Sequence, residues 1–137
     1  MGMRWDDLTF PQRFAVWSLR LWLAERQGDE TACGRCEAAF AVAGAPEARH
    51  ALDRLMRCVD DLPSRPVKLA PVNQPSLSDD EALLLRALAV AQAGGGVDGR
   101  LMLRPMFRPD VCRTVQRHCA DYARALGSAG LDLAGAR

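Results

Sequence analysis

The stretch Trp5–Gln27, WDDLTFPQRFAVWSLRLWLAERQ, decides the fold. It carries five of the eight aromatic residues of the chain, Trp5, Phe10, Phe14, Trp17 and Trp22, in about a sixth of its length. Aromatic side chains bury more area per residue than any others, so whatever packs on this stretch dominates a core or an interface. Pro11 suits a first helical turn and Thr9 can cap it, which predicts a helix over Pro11–Gln27. At 100° per residue its apolar side chains spread over three faces: Phe14, Trp17, Leu21 and Ala24; Val16, Leu19 and Leu23; Trp22 with Ala15. A helix apolar on several sides is covered on several sides, either as the centre of a bundle or by a partner.

Working outward, Gly28-Asp29 reads as a left-handed stop followed by an N-cap, a tight turn into a second helix over Glu30–Ala43. The apolar stripe of that helix is Cys33, Cys36, Phe40 and Ala43. Gly44 ends it and Pro46 opens a third helix with Ala48, Leu52, Leu55, Met56, Val59 and Leu62 inward and His50 outward. Residues 63–77, PSRPVKLAPVNQPSL, hold four of the eight prolines, a spacing that forbids a helix and leaves an extended strap. Ser78-Asp-Asp-Glu81 is a capping box that starts a fourth helix, stopped by Gly94–Gly96. A loop with Met102, Met106 and Phe107 follows, then a fifth helix from Pro109 to before Gly127, with Cys112, Val115, Cys119, Tyr122 and Leu126 inward. The expectation is an all-α fold: one domain over residues 1–137, a compact bundle of about five helices. It comprises a three-helix part (1–62) running up, down and up, the Pro-rich extended strap (63–77) between helices three and four, a two-helix part (78–127) and a loosely ordered C-terminal tail (128–137).

Composition bounds the function. A chain of 137 residues, 49% apolar and 26% charged, is that of an average globular protein, and a net charge of +1 gives no general attraction to nucleic acid or to an anionic membrane. Asp6 and Asp7 interrupt the N-terminus before any apolar run, so a secretory signal is not expected, and Arg13 and Arg20 interrupt the first helix, which is too short to span a bilayer. Gly2 lacks the Ser or Thr that myristoylation wants, having Asp6 instead. Lys68 as the single lysine among 18 basic residues suggests a GC-rich, bacterial genome, and five cysteines, an odd number, read as free thiols in a reducing cytoplasm.

Three constellations could carry chemistry. Cys33-Gly-Arg-Cys36 places two thiols one turn apart, the spacing of a redox pair or of two metal ligands. If the second and fifth helices face each other, Cys112, Cys119 and His118 join them, a donor set for zinc or an iron–sulfur cluster. Cys112 and Cys119 stand two turns, about 10 Å, apart, so one of them with His118 is the better set. Against this, both cysteines of the CxxC share a stripe with Phe40, where a free thiol acts as a small hydrophobe. The arginines Arg113, Arg117 and Arg124, with Arg100, Arg104 and Arg108 upstream, form a row able to bind phosphate, but Asp110 and Asp121 lie three or four residues from them and describe a solvated face, so nucleic acid is not expected as a partner. Residues 94–99, GGGVDG, lack the lysine of a phosphate loop, and neither His50 nor His118 has a nucleophile or carboxylate at catalytic spacing. The sequence therefore points to a non-enzymatic helical module for protein–protein interaction or regulation, by self-association or with a protein partner, and without a cofactor. Trp5, Trp17 and Trp22 are the expected contact residues. A thiol-based zinc or redox protein built on Cys33 and Cys36 is the alternative.

Overall fold

In the computed structural model, which describes residues 2–134, α1 spans Phe10–Arg26 and is closed at its start by a capping box. Thr9 N donates to Gln12 Oε1 at 2.9 Å and Gln12 N donates to Thr9 Oγ1 at 3.4 Å. At the other end Gly28, with φ of 102°, takes the left-handed conformation that other residues resist, and Asp29 Oδ1 then accepts from Thr31 N at 3.0 Å to cap α2 (Glu30–Val42). Pro46 opens α3 (Pro46–Asp61). Ser78 and Glu81 cap each other at the start of α4 (Asp79–Gln92), through Glu81 N to Ser78 Oγ at 3.0 Å and Ser78 N to Glu81 Oε1 at 2.9 Å.

The chain is all-helical, a bundle of six helices among the described residues, one more than the sequence predicts. The extra helix, α5 (Gly96–Leu103), occupies what was expected to be a loop. Gly94, at φ of 89°, does stop α4, but Gly95 then serves as the N-cap of a new helix. α5 is held by tertiary packing on α4 and α6 (Pro109–Ser128), in which Leu103, Met106 and Phe107 are all buried. α6 continues through Gly127 to Ser128, and the tail is tied down as far as it is described. Leu133 N donates to Gln92 Oε1 at 2.7 Å, Gln92 Nε2 donates to Leu131 O at 3.0 Å, and Leu131 and Leu133 are buried. The expectation of loose order for residues 135–137 lies outside the described residues.

α1 is central. Phe14, Ala15, Val16, Ser18, Leu19, Arg20, Leu21 and Trp22 are all buried, and α2, α3 and α4 each pack on it. The inner stripe of α6 is buried as its spacing requires, with Cys112, Val115, Cys119, Tyr122 and Leu126 all inward. That of α3 ends at Val59, because Leu62 lies past the last helical residue and is exposed. Tyr122 Oη and Ser18 Oγ lie 2.6 Å apart, and Ser18 Oγ donates to Ala15 O, also at 2.6 Å, so the tyrosine is the donor between them.

The strap is extended, as its prolines demand, and one buried ion pair holds it. Arg20 donates from Nε to Glu81 Oε2 at 2.7 Å and from Nη2 to Glu81 Oε1 at 3.0 Å, with both side chains fully shielded from solvent. Its remaining donors reach strap carbonyls: Val72 O at 3.3 Å and Gln74 O at 2.9 Å from Nη1, and Ser76 O at 3.0 Å from Nη2. Glu81 also accepts from Ala70 N at 3.1 Å. Just outside, Asp80 receives both Arg65 nitrogens at 2.9 and 2.8 Å and Lys68 N at 2.7 Å. The N-terminal segment pairs with the far end of the strap through Trp5 N to Pro75 O at 2.7 Å and Leu77 N to Met3 O at 2.8 Å.

Candidate functional site

The three tryptophans expected at an interface separate into two groups. Trp22 is 4% exposed: α3 covers it, its Nε1 donates to Asp53 Oδ1 at 3.0 Å, and the Arg26 guanidinium lies 5.2 Å from its ring. The third apolar face of α1 is thus taken by α3, and Trp22 is not exposed. Trp5 and Trp17 are only partly buried, and both line a groove between the first half of α1 and the second half of α2.

The groove measures about 740 Å³. One wall is Phe10, Phe14 and Trp17, spaced four and three residues apart on α1. The other is Ala38, Ala39 and Val42 on α2 with Ala43 just past its end, and Trp5 and Leu131 also contribute. Its rim holds the two most exposed large apolar side chains among the described residues, Val42 at 90% and Phe10 at 68%. An aromatic ladder joins this rim to the core. Phe10 and Phe14 have ring centroids 6.3 Å apart, Phe14 meets Phe40 edge-on at 5.2 Å, and Phe40 meets the buried Tyr122 at 6.3 Å. Trp17 stands 6.1 Å from Phe14. The exposed end is thus a continuation of the packed interior, with no layer of polar side chains over it.

Trp5 is fixed from three sides. Its N–H bonds Pro75 O, its carbonyl accepts from Arg13 Nε at 3.1 Å, and the buried Arg20 guanidinium lies 5.2 Å from its ring. Arg13 also donates from Nη2 to Asp6 O at 3.3 Å, so both its bonds go to backbone carbonyls and none to a carboxylate among the described residues. Arg35 lies over Trp17 from the α2 side, its Cζ 5.9 Å from the ring.

The thiols do not converge. α2 packs mainly on α1 and α3, and α6 on α3, α4 and α5, with Phe40 and Tyr122 in contact between them. Among the described residues no three His, Cys, Asp or Glu side chains come together to hold a metal ion. Nor is the environment one that activates sulfur. Burial pushes Cys36 up to about 11 and Cys119 up to about 12, burial likewise raises Cys112, and the Glu25 carboxylate raises Cys33. All five cysteines are free thiols. His50 is exposed, and His118 is partly buried with no hydrogen-bond partner for Nδ1 among the described residues.

Phe10, Val42, Ala39, Arg13 and Arg35 were not anticipated as site residues, although two signals existed. Phe10 falls seven residues before Trp17 and extends the stripe of Phe14, and Val42 is an apolar residue off the inward stripe of α2. No helix among the described residues is long and apolar enough to cross a membrane. Compared with known proteins, the chain matches no family model, no curated protein and no solved structure.

Proposed function

We propose that this chain is a non-enzymatic helical module of a bacterial cytoplasm that acts by protein–protein interaction or regulation, through the groove between α1 and α2. One observation carries the reading: an aromatic-lined groove continuous with the core stands open, with Phe10 and Val42 projecting beside it. Side chains of this size are exposed singly on most surfaces, but an apolar concavity with aromatic walls is the anatomy of an interface core. The free thiols and the arginine-rich, lysine-poor composition favour a reducing bacterial compartment.

The test is capture from extract of the source cells with wild-type protein against Val42→Glu and Phe10→Ser, each read by mass spectrometry. Both positions are exposed, so the fold tolerates the substitutions. A protein held by wild type and lost by both variants is the expected result. Identical capture by all three removes the groove from the function.

A further inference from the structure

Resting on the groove reading, we propose that the occupant is a short amphipathic helix of another protein, with apolar residues on one face and carboxylates along its edges. The groove supplies almost no polar atoms, because its walls are two α-helices whose backbone groups are already paired within each helix. An extended segment laid into it would leave its own N–H and C=O groups without partners, which apolar surroundings penalise heavily. A helix brings its backbone already satisfied.

The dimensions agree. Phe10, Phe14 and Trp17 form a ridge of about two turns, on the order of 10 Å, and the facing wall of Ala38, Ala39 and Ala43 is low. A third helix resting on α1 and α2 with three apolar residues at helical spacing fills that trough at ordinary interhelix distances.

Charge identifies the edges of the occupant. The single charged residue lining the groove is Arg13, the guanidinium beside Trp17 is Arg35, and no Asp or Glu lines it among the described residues. Arg13 is held in place by backbone carbonyls and keeps its full charge available. A carboxylate on either side of the partner's apolar face meets a guanidinium, Arg13 held by its two carbonyls or Arg35 over the Trp17 ring. The same two arginines disfavour a second copy of this chain. A two-fold contact through the groove would set Arg13 and Arg35 against Arg13 and Arg35, with no groove carboxylate to offset them.

The experiment pans a display library of randomised helical 14-mers against the protein, with Val42→Glu as counter-selection and sedimentation of both proteins alongside. Peptides retained by wild type and lost by Val42→Glu should carry three apolar residues at helical spacing flanked by Asp or Glu. Their affinity should fall about fivefold for each arginine changed to alanine. In Arg13→Glu/Arg35→Glu the selection should reverse to Lys and Arg. If the double variant does not fold, the exposed Arg35→Glu alone carries this arm. Groove-dependent peptides with no charge preference, or with one that survives the reversal, overturn the acidic helix and leave the groove standing. A library in which no peptide distinguishes wild type from Val42→Glu overturns the groove itself. A dimer that Val42→Glu dissociates overturns the helical occupant in favour of self-association.

Discussion

Replacing Arg20 by methionine should cost about 3–5 kcal/mol, the usual penalty for removing one member of a buried ion pair. Met retains most of the apolar stem of the side chain, so the loss isolates the guanidinium. Five hydrogen bonds that Arg20 donates disappear together, two to Glu81 and three to the carbonyls of Val72, Gln74 and Ser76. Glu81 keeps only the amides of Ala70 and Ser78, which leaves a carboxylate in a site that excludes water. Against a total stability of about 5–15 kcal/mol for a domain this is a large fraction. At about 4 °C per kcal/mol for a chain of this size it lowers the melting temperature by about 12–20 °C.

Guanidinium denaturation of Arg20→Met, Glu81→Leu and the double variant measures the cost, and amide hydrogen exchange locates it. The double variant should cost at least about 2 kcal/mol less than the sum of the singles, because it removes the stranded charge that each single creates. Exchange should accelerate first at Ala70, Leu77 and Trp5, the amides that tie the strap to α4 and to the N-terminal segment. A loss below about 1 kcal/mol in Arg20→Met, or additive singles with unchanged exchange at those amides, would refute the assignment of the pair as the clamp on the strap.

Two further outcomes follow from the charges and thiols around this frame. Asp80 is held below the usual carboxylate range, chiefly by its hydrogen bonds from Arg65, so its contribution is present above the unfolded value near pH 4 and disappears as acid protonates it. Asp80→Asn should therefore be about 1–2 kcal/mol less stable than wild type at pH 7, discounted for the half-exposed Arg65, with the gap closing below about pH 4 in urea titrations; a gap that persists in acid refutes the charge argument. With a thiol-specific chromogenic reagent at neutral pH, Cys33 and Cys58 should react before Cys36, Cys112 and Cys119, which wait for global unfolding. Because burial raises Cys119 to about 12, its stabilising contribution is complete below its unfolded value near 8.5 and is lost as pH climbs towards 12. Modification of Cys36 as fast as Cys33 refutes the burial assigned to it.

Helix positions were legible wherever a side chain both caps and punctuates. Thr9, Asp29, Pro46, Ser78 and Pro109 all mark starts within a residue of those observed, because caps are local and need no knowledge of neighbours. α5 was hidden for the opposite reason. Three consecutive glycines read as a plain break, whereas Gly94 and Gly95 only separate α4 from α5, and the helix that follows, with Gly96 and Gly99 in it, is held by packing on α4 and α6. Arg20 was hidden by its type. On a wheel it reads as a polar interruption, and its burial depends on the carboxylate of Glu81, distant in sequence, whose capping role was visible while its second role as counter-ion was not. The site was half legible. Aromatic density pointed to α1, but which of its faces stays open is decided by where α3 and α2 settle, and that choice separates the buried Trp22 from Trp17.

The clamp and the groove are one construction. Glu81 holds Arg20, Arg20 holds the strap carbonyls and underlies the Trp5 ring, and the strap in turn bonds the Trp5 amide through Pro75. Trp5 belongs to the N-terminal segment, which would otherwise fray, yet it is set against the two walls of the groove by a fully buried ion pair. A binding wall ordered in advance loses little freedom when a partner arrives, so the free energy that fixes Trp5 belongs to folding and not to association. It follows that Arg20→Met should weaken occupancy of the groove through Trp5 even though Arg20 never touches the occupant, whereas Asp80→Asn, which loosens only the outer end of the strap, should leave it unchanged. If both weaken binding alike, the wall is set by overall stability and the route through Arg20 to Trp5 is wrong.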